Sequence, residues 1–139
     1  MIVVDTNIIA YLLIPNDKYT QSAISAFEKD RSWLAPALWQ YEFLSVLAFY
    51  IRKSLLDIDA SKSIYTKACE IIETREVVDF ELLFNCIKTS KLSAYDCQYV
   101  TLARENNLPL ITEDKNILAE FPEASVSISQ FIATATDKI

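Results

Sequence analysis

The sequence predicts one α/β domain, a mainly parallel sheet of short strands flanked by helices. Three observations carry this. Short β-branched, apolar runs recur along the chain, and stretches of helical periodicity separate them. The chain has 139 residues, 52% of them hydrophobic, enough for one buried core. It shows no repeats, linkers or low-complexity stretches, so residues 1–139 read as a single domain.

The elements follow in order. Ile2-Val3-Val4 reads as a strand buried on both faces, and Asp5-Thr6-Asn7 stops it. Ile8 to Leu13 begins a helix that Pro15-Asn16-Asp17 ends. Thr20 reads as the N-cap of a helix with Ala23, Ile24 and Phe27 on one face. Ser32 to Ala35 is a second strand closed by Pro36, and Ala37 to Lys53 is a long helix. Asp59 is expected to cap a helix that buries Ile64, Ala68, Ile71 and Ile72, and Val77-Val78 reads as a strand remnant. Asp79 caps a helix with Phe80, Leu83, Phe84 and Ile87 at i, i+3, i+4, i+7. Ser93 caps a helix burying Tyr99, Leu102 and Ala103, and Asn106-Asn107 ends it in place of a glycine. Leu108 to Thr112 is a third strand, and Asp114 opens a short helix through Phe121. Val126 to Ile128 reads as an edge strand before a last helix from Gln130 to Ala135.

Composition excludes much chemistry. The chain has no Gly, which removes phosphate-cradling and dinucleotide-binding glycine loops. It has no His, which removes imidazole bases and almost every zinc enzyme site. Cys69, Cys86 and Cys97 form no CxxC and are odd in number. They read as small core residues of a protein kept in a reducing cytoplasm. Ser32 to Ile51 has membrane-span length, but Pro36, Gln40 and the central Glu42 make it a core helix instead. No membrane partner is expected.

The net charge is −6. Residues 1–70 hold 8 acids and 7 bases; the remainder holds 11 acids and 6 bases. Binding nucleic acid would therefore need a basic patch or a cation as intermediary. Lys115 is the base nearest the acids discussed next.

Four of those acids ask for explanation. Asp5 and Asp114 follow two predicted strands at their C-terminal ends, where open parallel sheets bind ligands. Asp96 lies in the first turn of its helix, and Glu42 is the lone charge in the most apolar one. Each has a plain reading. Asp5 and Asp114 can be helix caps, and Ser93 to Asp96 matches a capping box. Glu42 can lie on a solvent stripe with Gln40 and Ser45, although no Lys or Arg at i±3 or i±4 pairs with it. Brought together, the four describe a site for a hard cation, Mg²⁺ or Mn²⁺. Such an ion would offset their mutual repulsion, draw in a phosphate and acidify a water for phosphodiester hydrolysis. Helix N-termini at Asp5, Asp96 and Asp114 are expected to favour the ionised acids.

Four segments together resemble the PIN-domain nucleases, and among them the VapC-type toxins of toxin–antitoxin pairs. These are Val3-Val4-Asp5-Thr6-Asn7, Trp39-Gln40-Tyr41-Glu42-Phe43, Tyr95-Asp96-Cys97-Gln98-Tyr99-Val100-Thr101-Leu102-Ala103 and Leu110-Ile111-Thr112-Glu113-Asp114. The resemblance implies a three-layer α/β/α fold around a four- to five-stranded, mainly parallel sheet. It implies an Mg²⁺- or Mn²⁺-dependent endoribonuclease, a homodimer and a cognate antitoxin that covers the site. By motif position, Asp5, Glu42, Asp96 and Asp114 would bind metal, and Thr6, Asn7 and Thr112 would orient them. Asn116 stands where some members carry a further acid, which leaves fewer charges for a second ion. Cys97 and Ser93-Ala94 also depart from the usual pattern.

Three other classes compete. A nuclease of RNA processing outside any toxin–antitoxin pair would share every acid. A phosphoryl-accepting domain also puts Asp at strand ends, but it needs a second acid where Asn7 stands. A non-catalytic interaction module would account for Trp39, Tyr41, Phe43, Phe49 and Tyr50 as an interface.

Overall fold

The computed structural model describes residues 1–134. Five strands form one sheet: β1 Ile2–Val4, β2 Trp33–Ala35, β3 Ile72–Thr74, β4 Leu110–Ile111 and β5 Ser125–Val126. Their order is β3-β2-β1-β4-β5, and every pairing is parallel. Eight helices connect them: α1 Thr6–Leu13, α2 Thr20–Lys29, α3 Trp39–Arg52, α4 Ile58–Ile71, α5 Phe80–Thr89, α6 Ala94–Glu105, α7 Lys115–Glu120 and α8 Ile128–Ala133. Helices α1, α2, α3, α4 and α8 pack among themselves; α5 packs on α6, which lies on β1 and β4. This is the predicted three-layer α/β/α architecture.

The strands are short, and burial is complete only in β1, β2 and β4. All three residues of β1 and of β2 are buried. Trp33, Trp39, Tyr99 and Phe43 are the largest side chains sealed in the core. Trp39 is tied across it by its indole N–H, which donates to Thr74 Oγ1 at 2.9 Å. A buried indole left unpaired would cost free energy, so this bond fixes the start of α3 against β3.

The order of the strands decides where a site can form. From β1 the chain moves outward through β2 and β3, then returns to build β4 and β5 on the other side. The reversal falls between β1 and β4. A crevice opens there beyond the strands' C-terminal ends, because the flanking connections leave in opposite directions.

Several local expectations are corrected. Ile72 belongs to β3, not to the preceding helix, and Val77-Val78 lies in the following loop with Val77 buried and Val78 exposed. Helix α4 is capped by Asp57, whose Oδ1 accepts from Ala60 N–H at 2.7 Å; Asp59 is inside the helix. Thr20 is the first residue of α2, and its hydroxyl ties the preceding loop to Tyr11 O. The last strand is Ser125–Val126, and Ser127 caps α8 with a capping box. The expected end of that helix at Ala135 lies outside the described residues. Cys86 and Cys97 are core residues, whereas Cys69 is exposed. The faces of two helices also differ from expectation. Phe80 and Phe84 of α5 are exposed while Leu83 and Cys86 are buried, and α3 exposes Tyr41, Leu44 and Phe49. No helix among the described residues is long and apolar enough to cross a membrane.

Candidate active site

The site is built from the crevice upward. Asp5 follows β1 and caps α1, with its Oδ1 accepting from Ile8 N–H at 3.2 Å. Its second oxygen, Oδ2, accepts from the Thr112 hydroxyl at the end of β4. Thr112 Oγ1 in turn accepts from Asp114 N–H at 3.0 Å. Asp114 then caps α7, its Oδ1 accepting from Asn116 N–H at 2.8 Å and Ile117 N–H at 3.1 Å. One hydroxyl thus joins two acids 109 residues apart. The capping readings of both Asp residues hold, and they leave Asp114 Oδ2 uncommitted among the described contacts.

A second arm starts one residue later. Thr6 Oγ1 donates to Glu42 Oε1 at 2.7 Å, and Tyr99 OH donates to the same oxygen at 2.7 Å. The two hydroxyls lie 2.7 Å from each other. Glu42 is half-buried and partnered, not spread on a solvent stripe. Burial holds the Tyr99 hydroxyl far above the ordinary tyrosine pKa, so it stays a donor. Tyr99 stands three residues after Asp96 on α6, and this places its ring beneath the first turn that carries that acid.

Asp96 completes the group. Ser93 Oγ accepts from Asp96 N–H at 3.1 Å, the local half of the expected capping box. Partial burial raises the Asp96 pKa, and the negative charges of Asp114 and Glu42 raise it further, against an opposing bond with Ser93. Asp5 is pushed up to about 7, chiefly by burial. Its bonds from Thr112 and Ile8 pull the other way, and Asp114 and Asp96 add to the rise. The helix N-termini expected to favour the ionised acids are outweighed at Asp5 and opposed at Asp96. Desolvation outweighs the cap.

The four acids share one electrostatic environment at the crevice. Among the described residues, no three acidic or thiol side chains are arranged to hold one metal ion between them. The donor set still suits a hard cation. All donors are oxygen, and Mg²⁺ commonly takes one or two carboxylates and keeps its remaining waters. Burial first, and neighbouring acids second, raise the pKa values of Asp5 and Asp96.

The accessory residues separate. Thr6 and Thr112 are buried and hydrogen-bond the acids. Asn7 is exposed on α1 with no side-chain bond among the described residues. Asn116 is exposed and lines, with Asp96, Ser93 and Lys91, a depression of about 620 Å³. Glu113 turns away, its Oε2 accepting from Ile128 N–H at 2.8 Å. Tyr99 was expected only as core. The available signal was a phenol among the buried residues of α6, since a buried hydroxyl requires a partner.

Comparison with known proteins bears on the fold and the family. Several solved structures share the fold. One is PAE2754 from Pyrobaculum aerophilum, 22% identical, with a TM-score of 0.71 over 94% of this chain and 92% of that one. A toxin–antitoxin complex from Klebsiella pneumoniae is 17% identical, with a TM-score of 0.67 over 92% and 98%. FitAcB from Neisseria gonorrhoeae is 14% identical, with a TM-score of 0.67 over 93% and 99%. No curated protein gives a significant match. The PIN domain family model matches residues 2–123, and with it β1, the crevice and every candidate acid; the chain belongs to the PIN domain family.

Proposed function

We propose that this chain is a divalent-cation-dependent endoribonuclease and the toxin of a toxin–antitoxin pair. The observation that carries the reading is the pair of hydrogen-bonded arms, Asp5-Thr112-Asp114 and Thr6-Glu42-Tyr99, meeting at the β1/β4 crevice beside Asp96. A chain without His has few other ways to run phosphodiester hydrolysis.

In this reading Asp5, Glu42, Asp96 and Asp114 hold Mg²⁺ or Mn²⁺. The ion, when bound, supplies positive charge that attracts a phosphate and acidifies water. Thr112 fixes one carboxylate oxygen of Asp5, and Thr6 and Tyr99 fix one of Glu42. Glu42 then presents its remaining oxygen in a set direction, and Asp5 is oriented at both oxygens, by Thr112 and by Ile8 N–H. Asp5 would have to be deprotonated to hold the ion, so affinity would depend on pH. Asn7 and Asn116, exposed at the rim, face the RNA.

The partners follow from the neighbours. The Klebsiella structure is a toxin–antitoxin complex, and a cognate antitoxin that covers the crevice is assigned here by that likeness. A homodimer working in the cytoplasm completes the reading. A processing nuclease outside such a pair would carry the same acids, and growth arrest on expression separates the two.

The test is cleavage of single-stranded RNA with Mg²⁺ or Mn²⁺ by the purified chain. Asp96→Asn should lower the rate on the order of 10³-fold with the circular dichroism unchanged. Full activity in that variant contradicts the reading.

A further inference from the structure

Two tyrosines flank the acids and do no structural work. Tyr41 immediately precedes Glu42 in the first turn of α3, and Tyr95 immediately precedes Asp96 in the first turn of α6. They are 73% and 65% exposed. Neither hydroxyl makes a hydrogen bond among the described residues. Exposing two large rings to water is unfavourable, and these two line the same cavity, of about 370 Å³. Leu38 and Ser45 complete its lining, and Glu42 joins it to the crevice. That volume is within the roughly 300–1,000 Å³ of small-ligand pockets.

The chemistry of this cleft differs from that across Asp96. The depression on that side is mixed, with Lys91, Ser93, Asn116 and Glu120 beside Leu92 and Ala119, and it includes a cation. The Tyr41–Tyr95 cleft contains no cation, so a phosphate gains nothing there, and Glu42 repels one. A neutral, flat, aromatic group fits its lining. Stacking is insensitive to the acidic field that hinders phosphate contacts in a chain of charge −6.

We infer that the cleft between Tyr41 and Tyr95 takes one unstacked base of single-stranded RNA beside the scissile phosphate. The inference rests on the nuclease reading. It makes the two rings positioning residues, which hold the neighbouring base so that the phosphate lies over the acids. It also supplies a reason for single-strand preference, because a paired base cannot enter.

The experiment uses an oligoribonucleotide carrying 2-aminopurine, titrated with Mg²⁺ present into the Asp96→Asn chain. Binding should quench the fluorophore through stacking. Adding Tyr41→Leu and Tyr95→Leu should remove the quench and weaken binding about 10-fold, and Phe at both positions should restore it. In the active protein the Leu pair should raise KM about 10-fold with little change in kcat. An abasic nucleotide next to the cut should reproduce that rise in the parent protein and add nothing to the Leu pair. Quench and affinity that persist in the Leu pair overturn the inference and leave the cleft to a protein partner. Absence of cleavage by the parent chain sinks the nuclease reading separately, and the fluorescence titration still decides the cleft.

Discussion

Asp5 and Asp114 each end a strand and cap the helix that follows, on neighbouring parallel strands, yet they sit in different surroundings. Asp5 is 9% exposed, between α1 and the Thr112 hydroxyl, and its pKa is pushed up to about 7. Asp114 is half-buried, keeps Oδ2 uncommitted and leans on exposed Asn116. The same local motif thus serves two ends. At β4 the cap is most of what the fold needs from the acid. At β1 the fold loses stability by burying a carboxylate, which is the pattern of perturbed acids that cluster at functional sites. Capping is local and cheap; burial of charge is a property of the tertiary structure.

Exchanging the two acids for neutral groups sharpens this contrast most. Asp5→Asn and Asp114→Ser should each lower RNA cleavage by on the order of 10²- to 10³-fold. Their stabilities should diverge in urea melts without divalent ions. Asp5→Asn should gain about 1–3 kcal/mol, because a buried charge near other acids is removed. Asp114→Ser keeps a capping oxygen and should stay within about 0.5 kcal/mol. A loss of stability at Asp5→Asn would break the comparison.

The pH dependence of the ion-free fold is the next largest effect. Asp5 titrates near 3.8 when unexposed to the fold and near 7 within it, so the native state binds this proton more tightly. Its contribution to stability is fully present below 3.8, falls as pH rises and is gone above about 7. The slope amounts to at most about 4 kcal/mol across that window. Denaturant midpoints from pH 4 to 8 should show it in the parent chain, and Asp5→Asn should be flatter.

Thr112→Val tests the bridge between the two acids. It removes the donor that opposes the Asp5 shift and the acceptor for Asp114 N–H. Activity should fall about 10- to 100-fold, and stability by about 1–3 kcal/mol. At the small end, Cys69→Ser should change stability by less than about 0.5 kcal/mol, since Cys69 is exposed on α4.

The same contrast explains what could be read from sequence. Strands β1 and β2 were legible because both are uniformly buried and their residues say so. Strand β3 was hidden, since only Ile72 is buried and Glu73 and Thr74 are exposed at the sheet edge. Ile71 and Ile72 continue the helical spacing of α4, and nothing local marks the change. Val77 and Val78 misled for the opposite reason: β-branched residues carry strand propensity even in a loop. The four acids were legible as residues out of place. Of their partners, Thr6 and Thr112 were expected from the resemblance, but Tyr99 was not, because it reaches Glu42 across 57 residues. The position of the pKa of Asp5 was equally hidden, since burial depends on α1, β4 and the sheet closing around it.

The central claim is that acids from β1, α3, α6 and β4 act together on one divalent ion. Calorimetric titration of Mn²⁺ into the ion-free chain tests it most directly, with Asp5→Asn, Glu42→Gln, Asp96→Asn and Asp114→Asn measured alongside. The account predicts saturable binding to the parent chain, weakened about 10-fold or more by each substitution. Equal Mn²⁺ affinity in the parent chain and all four variants, or no binding to the parent chain, would contradict it.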